Sequence, residues 1–236
     1  MVQVAFALFA LTLVCNAQVA PEQSADRVVP DEAQRDKRLF GVIPNYRTSP
    51  SLVNYKPLTS KEKFKIASQD AFDRGSFVLA AEFAAKDQLT NAEPSFGQGM
   101  RGYAHRFVTS YADWAIGDYM TEAIWPTLLH QDPRYFRRGQ GSVFSRLAYA
   151  MGQIFVTHND SGHTTLNFSE IGGNASAVAI SQAYYPDDRN VASAASQLTV
   201  QIGVDMSSNV LKEFYPDLRR AFSRKHKNAT SSPSHQ

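Results

Sequence analysis

The sequence predicts an all-α protein, a single bundle-like domain of about six helices preceded by an irregular N-terminal segment. Three observations lead there. Apolar residues recur every third or fourth position between Thr59 and Phe214, the spacing that puts them on one face of a helix. The only cysteine, Cys15, lies near the start, so the folded part has no disulfide to staple it. A chain of 236 residues that is 43% hydrophobic has enough apolar material for a core without one.

Residues 1–17, MVQVAFALFALTLVCNA, form an apolar run of signal-peptide length ending in small residues, although no Lys or Arg precedes it. Cleavage is expected near Ala17, and with it export to the periplasm or cell envelope. Residues 18–38 are polar and carry Pro21 and Pro30 without periodicity, as a flexible spacer does. The folded domain is expected over 39–217. Its first stretch, Leu39 to Pro57, has Gly41, three prolines (Pro44, Pro50 and Pro57) and the apolar residues Phe40, Ile43, Tyr46 and Tyr55, and reads as an irregular segment anchored across the core.

Thr59-Ser60-Lys61-Glu62 has the spacing of a capping box and predicts a helix start. Phe64, Ala67, Ala71 and Phe72 continue it, and after a break near Gly75 the series Phe77, Ala80, Ala81, Ala84 runs on to Leu89. A third helical stretch, Arg101 to about Leu129, carries Tyr103, Phe107, Tyr111 and Trp114, then Met120, Ile124 and Leu128 after a small shift of face; Pro126 should kink or end it. A fourth presents Val143, Leu147, Met151 and Ile154 as a stripe. The fifth, Ser169 to Tyr184, is capped by Ser169 or Asn167 and is rich in small residues; the sixth runs from about Arg189 to Phe214. Those two should pack as an antiparallel hairpin, their small residues allowing close approach. Residues 218–236 are expected to form a basic disordered tail, with five Lys and Arg between Arg219 and Lys227.

Charge narrows the function classes. A formal charge of +2 lacks the basic footprint of a nucleic-acid binder. Charges such as Asp113, Asp118, Glu122 and Asp205 interrupt the most apolar helices, so none is expected to span a membrane. Anionic lipid at the basic tail, or another envelope protein, is the partner expected, and no cofactor is called for.

Three groups of residues are candidates for chemistry. In Leu129 to Gly139, Arg134, Arg137 and Arg138 share a short loop with Tyr135 and Phe136. Guanidinium forks bind phosphate or carboxylate, or they cap helix ends and stack on a ring such as Tyr135. Asp118 and Glu122 lie one turn apart with His130 two turns on, a set that could hold a divalent ion, although two acids on a helix also suit pairing with Arg101, Arg106 or Arg146. His130 and His163 are the candidate catalytic histidines.

The triplet Ser161-Gly162-His163 resembles the serine-glycine-histidine core of the membrane-type phosphatidic acid phosphatases. That resemblance implies phosphate held by Arg134 or Arg138 beside His163, with a later histidine as nucleophile. The sequence departs from the pattern there, since only His226 and His235 follow and the later arginine, histidine and aspartate block is absent. Without a nucleophile the phosphoryl transfer has no first step.

The phrases LFGVIPNYRT, LLHQDPRYFRRG, FVTHNDSGH and NVLKEFYPD, with Leu166 to Glu170 and Ala183 to Pro186 between the last two, resemble a family of exported bacterial helical proteins of unknown function. The resemblance implies one helical domain behind a signal peptide and brings no catalytic residue. The sequence therefore leaves two readings. One is a cell-envelope protein with a structural or binding role, at the membrane periphery; the other is an envelope hydrolase of phosphorylated substrates working through the Arg134 to Arg138 loop and His163.

Overall fold

The computed structural model describes residues 38–39, 43–49 and 55–230, with side chains described to 221. The leader, its cleavage site, the spacer to residue 37 and residues 231–236 lie outside these residues. Within them the protein is mostly helical, as the apolar spacing predicts. Helix α1 is Ser60–Ala71, opened by the Thr59 capping box with Glu62, and α2 is Arg74–Thr90, capped by Asp73. The break between them thus falls at Phe72 and Asp73, just before Gly75.

Helix α3 spans 99–128 in three parts: an α-helix Gly99–Asp118, a π-helical turn Tyr119–Ile124 and a last α-turn Trp125–Leu128. A π-turn closes i to i+5 bonds and takes in an extra residue, so the side chains beyond it are rotated about the axis. The shift of face that the sequence shows after Trp114 falls at the start of this turn. Pro126 stands in the first turn of the last part, where its missing N–H costs nothing, and the helix ends two residues on.

Helix α4 is Val143–Gly152, α5 is Phe168–Ser181 with Asn167 as its cap, and α6 is Val191–Thr230. Helix α6 runs through Pro216 past the boundary expected at 217, so the predicted disordered tail is helical as far as residue 230. Three two-stranded ribbons tie the irregular segments to the helices: β1 (Arg38–Leu39) with β2 (Ile43–Pro44), β3 (Thr48–Ser49) in parallel with β4 (Tyr135–Phe136), and β5 (Val156–His158) with β6 (Thr164–Leu166). The β3–β4 pair is what lays the N-terminal segment across the domain and carries Arg47 inward.

The interior differs from a stripe of large apolar residues. Ala67, Ala71, Ala80, Ala84, Ala123 and Ala150 are fully buried, so the helices meet through methyl groups at close range. Phe64, Phe72, Phe77, Val143 and Met151, all read as core-facing, keep 40% or more of their surface exposed. On α4 the buried positions are Arg146 and Ala150. Arg106, Lys63 and Glu213 are among the largest fully buried side chains, which makes this a core with charges built in. Arg106 shows how one is accommodated: its guanidinium donates to the carbonyls of Ala92, Glu93 and Gly97 and to Gln88, closing the turn before α3.

Helix α5 packs on α6 and also crosses the π-turn of α3. A Cβ on Gly173 would stand 2.8 Å from the Thr121 methyl and 2.9 Å from its Cα, so this glycine lets α5 approach the π-turn. Gly203 on α6 has nothing within 4 Å of its would-be Cβ. Only the α5 side of the expected small-residue contact is therefore used for close approach, and its partner is α3.

Candidate functional site

The arginine loop is engaged by the protein itself. Asp132, with a fully buried side chain, accepts the Nη2 of Arg134 at 2.6 Å, and the same guanidinium lies over the Tyr55 and Phe136 rings. Arg137 donates through Nε to the carbonyl of Glu213 and faces Asp217 at 3.7 Å. Arg138 rests over the Tyr149 ring. None of the three stacks on Tyr135, whose hydroxyl instead donates to Glu213 at 2.8 Å. Glu213 also accepts the Nε of Arg146 at 2.8 Å and the backbone N–H groups of Arg138 and Gly139. Those donors hold its carboxyl below the usual range against the effect of burial.

His130 and His163 come to one turn, where the carbonyl of His130 accepts the N–H of Asp160 and the carbonyl of His163 accepts that of Asn159. Both side chains are exposed, and His130 has a positive φ of 52°. Its ring sits 3.7 Å from Asp160, whose carboxylate is already held by the buried Lys63 at 2.8 Å. Arg137 and Arg138 face the Glu213 side, so the candidate catalytic and anion-binding residues do not share a focus.

The metal trio is separated as well. Asp118 and Glu122 lie in the interior on either side of the π-turn's start, whereas His130 is at the surface beyond Pro126. No group of three or more His, Cys, Asp or Glu side chains with metal-holding geometry occurs among the described residues. Nor does Glu122 pair with Arg101, Arg106 or Arg146.

Its partner is Arg47, which the β2–β3 turn delivers to the centre of the domain. Arg47 lies 3.5 Å from Glu122, 3.6 Å from Glu170 on α5 and 4.0 Å from Asp205 on α6, distances at which it neutralises charge without a close hydrogen bond. Asp70 of α1, Asp118 of α3 and Lys212 of α6 complete the cluster, in which five carboxyl groups face two cations. Burial raises Asp70, Asp118 and Glu122, the last two strongly, and lifts Glu170 to about 7 despite Arg47. Lys212 is lowered to about 8 by burial and by Arg47. Oδ1 of Asp70, Oε2 of Glu122 and Oε1 of Glu170 are buried without a donor among the described residues. The Asp70 and Glu122 carboxyls face one another, as do Glu170 and Asp205, contacts that become hydrogen bonds only when a proton is shared.

Above Arg47 a cavity of about 410 Å³ opens between α3 and α6, with α2 and α5 as its sides. Helix α3 supplies Asp113, Trp114, Gly117 and Asp118 at helical spacing, and α6 supplies Ser193 to Asp205 in the same way. Asp113 accepts the hydroxyl of Tyr185 at 2.7 Å as well as that of Tyr184, yet burial still lifts it to about 6. At the far end Glu93 is raised to about 7 by burial and by the facing Asp188.

The sequence marked Asp118 and Glu122 as a possible metal pair with His130 and Asp205 as a charge interrupting an apolar helix, and it passed over Arg47, Asp70, Glu170 and Lys212. The available signal was an acid on an otherwise apolar face, as with Asp205 between Ile202 and Met206. What was not visible was that such acids from four helices meet. No protein-family model, curated protein or solved structure matches the chain.

Proposed function

We propose that the chain is an exported cell-envelope protein with a binding role, and that its ligand enters the cavity between α3 and α6. The cavity carries this reading: at about 410 Å³ it has the size of a small-molecule site and is lined by side chains from four helices. The apolar run over residues 1–17 supports export, as does the resemblance to exported bacterial helical proteins. Membrane periphery draws support from Phe144, Met151, Phe155, Leu166 and Phe168, exposed apolar residues on α4, at the ends of the β5–β6 hairpin and at the start of α5. With the basic stretch from Arg219 they suit anionic lipid or another envelope protein as partner; flotation with anionic vesicles tests this, and absence of binding at low salt removes it. No helix among the described residues is long and apolar enough to cross a membrane. The hydrolase alternative requires histidines and arginines aimed at one point, and no observation favours it.

Trp114 lines the cavity and reports on its filling, since the chain has only one other tryptophan, Trp125. A small-molecule panel is expected to contain a compound that shifts tryptophan emission and raises the melting temperature. In Trp114→Phe the emission change is lost and the stabilisation kept. Gly117→Leu, which extends a side chain from an open position on the cavity wall, should abolish both. Stabilisation that persists unchanged in Gly117→Leu would place the ligand elsewhere and refute the assignment.

A further inference from the structure

Resting on the reading of this cavity as a binding site, we infer that its ligand is a linear organic cation with an N–H-bearing ammonium group near each end, a molecule of the polyamine class. The shape comes first. On α6 the lining runs from Ser193 to Asp205, about 18 Å at a rise of about 1.5 Å per residue, so the space is elongated along the helix. Helix α3 flanks it in the same direction, with Asp113 beside Tyr185 at one end and Asp118 toward Asp205 at the other.

Charge comes second. Six carboxyl groups line the cavity, on Asp87, Glu93, Asp113, Asp118, Asp188 and Asp205, against the cations of Arg47 and Lys86. Lys86 is already paired with Asp87 at 2.7 Å. The remaining acids collect at the two ends: Glu93 faces Asp188 at one, beside Asp113, and Asp118 and Asp205 stand at the other with Glu170, Arg47 and Lys212 behind them.

The third and independent observation is where donors are lacking. Glu170, with a side chain 8% exposed, keeps Oε1 unpartnered beside Arg47 and Asp205, which both line the cavity. On the lining itself the buried Oε2 of Glu93 and Oε1 of Gln201 also have no donor among the described residues. All three are acceptors. Each facing pair of carboxyls binds only if something supplies a hydrogen between them, and an ammonium N–H serves as a proton does while leaving both acids ionised. Between the ends, Phe83 and Trp114 line the wall as apolar surface for a methylene chain and a middle cationic nitrogen, with Tyr185 beside Asp113 at one end.

The test is calorimetric titration of the full chain with spermidine, octane-1,8-diol, suberate and choline, with tryptophan emission as a second readout. Spermidine is expected to bind, more than tenfold tighter at pH 8 than at pH 5, because the end carboxyls must lose their shared protons. Choline, a cation without N–H on its nitrogen, should bind at least tenfold more weakly. The diol and the dicarboxylate should not bind. Asp118→Asn and Asp205→Asn should each weaken spermidine at least tenfold in a folded protein, and Gly117→Leu should abolish binding. If the diol or suberate binds in the cavity and spermidine does not, the cation assignment is overturned and the binding reading stands. If no probe changes Trp114 emission or heat, neither stands. Spermidine binding that both aspartate variants leave unchanged also overturns the inference.

Discussion

Two buried charge clusters of this protein follow opposite rules. Around Glu213 one carboxylate, with no exposed surface, is met by Arg146, the Tyr135 hydroxyl and two backbone N–H groups. Around Arg47 five carboxyl groups share two cations, and three buried oxygens have no donor among the described residues. A satisfied buried charge pins segments together, here α4, β4 and the loop after it onto α6. An under-neutralised one carries a desolvation cost that its own cations do not offset, and this one lies beside the cavity. The contrast teaches that the arginine-rich loop, the densest polar run in the sequence, is tied into the protein's own contacts, whereas acids scattered along the chain gather around Arg47 beside the cavity.

The largest effect should come from breaking the satisfied cluster. Glu213→Ala leaves Arg146 with only Asp217 and the residue-213 carbonyl, strands the Tyr135 hydroxyl and the N–H groups of Arg138 and Gly139, and is expected to cost about 3–5 kcal/mol, the usual result of removing one partner of a buried pair. Urea unfolding measures it, and a loss below about 1 kcal/mol would mean that the cluster is no more binding than a surface pair.

Next in size, Gly173→Ala forces α5 away from the π-turn that carries Thr121 and Glu122. Overpacking against the main chain there is expected to destabilise by about 1–3 kcal/mol, read from the same unfolding curves. It should also alter the Arg47 cluster, whose Glu122 and Glu170 flank that contact.

A smaller effect is expected from pH alone. Glu170 and Glu93 at about 7 and Asp113 at about 6 lie above their unfolded values, so between about pH 4 and 8 the folded chain holds more protons than the unfolded one. The stability these acids confer is full below their unfolded pKa values and is lost as pH rises through the folded ones. Lys212, lowered to about 8, acts oppositely, its contribution appearing as pH climbs from there toward the ordinary lysine range. The melting temperature should therefore fall from pH 5 to a minimum near pH 8. A curve that rises steadily over that interval would show the Arg47 cluster to be as well paired as Glu213.

The smallest and sharpest change is Asp118→Asn, which removes one surplus acid. At pH 8 it should raise the melting temperature, and at pH 5 the rise should be smaller, because burial pushes the native carboxyl well above its ordinary range and toward its protonated form. Equal shifts at both pH values would point to packing instead of charge.

The sequence by itself determined that this is a helical domain, where most helices begin and end, and even the shift of face that falls at the π-turn. Those follow from local terms: three-to-four-residue spacing, the Thr59 capping box, Asn167 as a cap and Pro126 near a helix end. Which residues fill the interior was decided only in three dimensions. Alanines took the tightest contacts and left Phe64, Phe72 and Phe77 half outside, because close helix approach leaves no room for rings there. Arg47 precedes every helix among the described residues, yet the β3–β4 pairing sets it among acids from α3, α5 and α6, up to 158 positions away. Charge balance in a buried cluster is a property of what meets in space, and no local window of residues contains it.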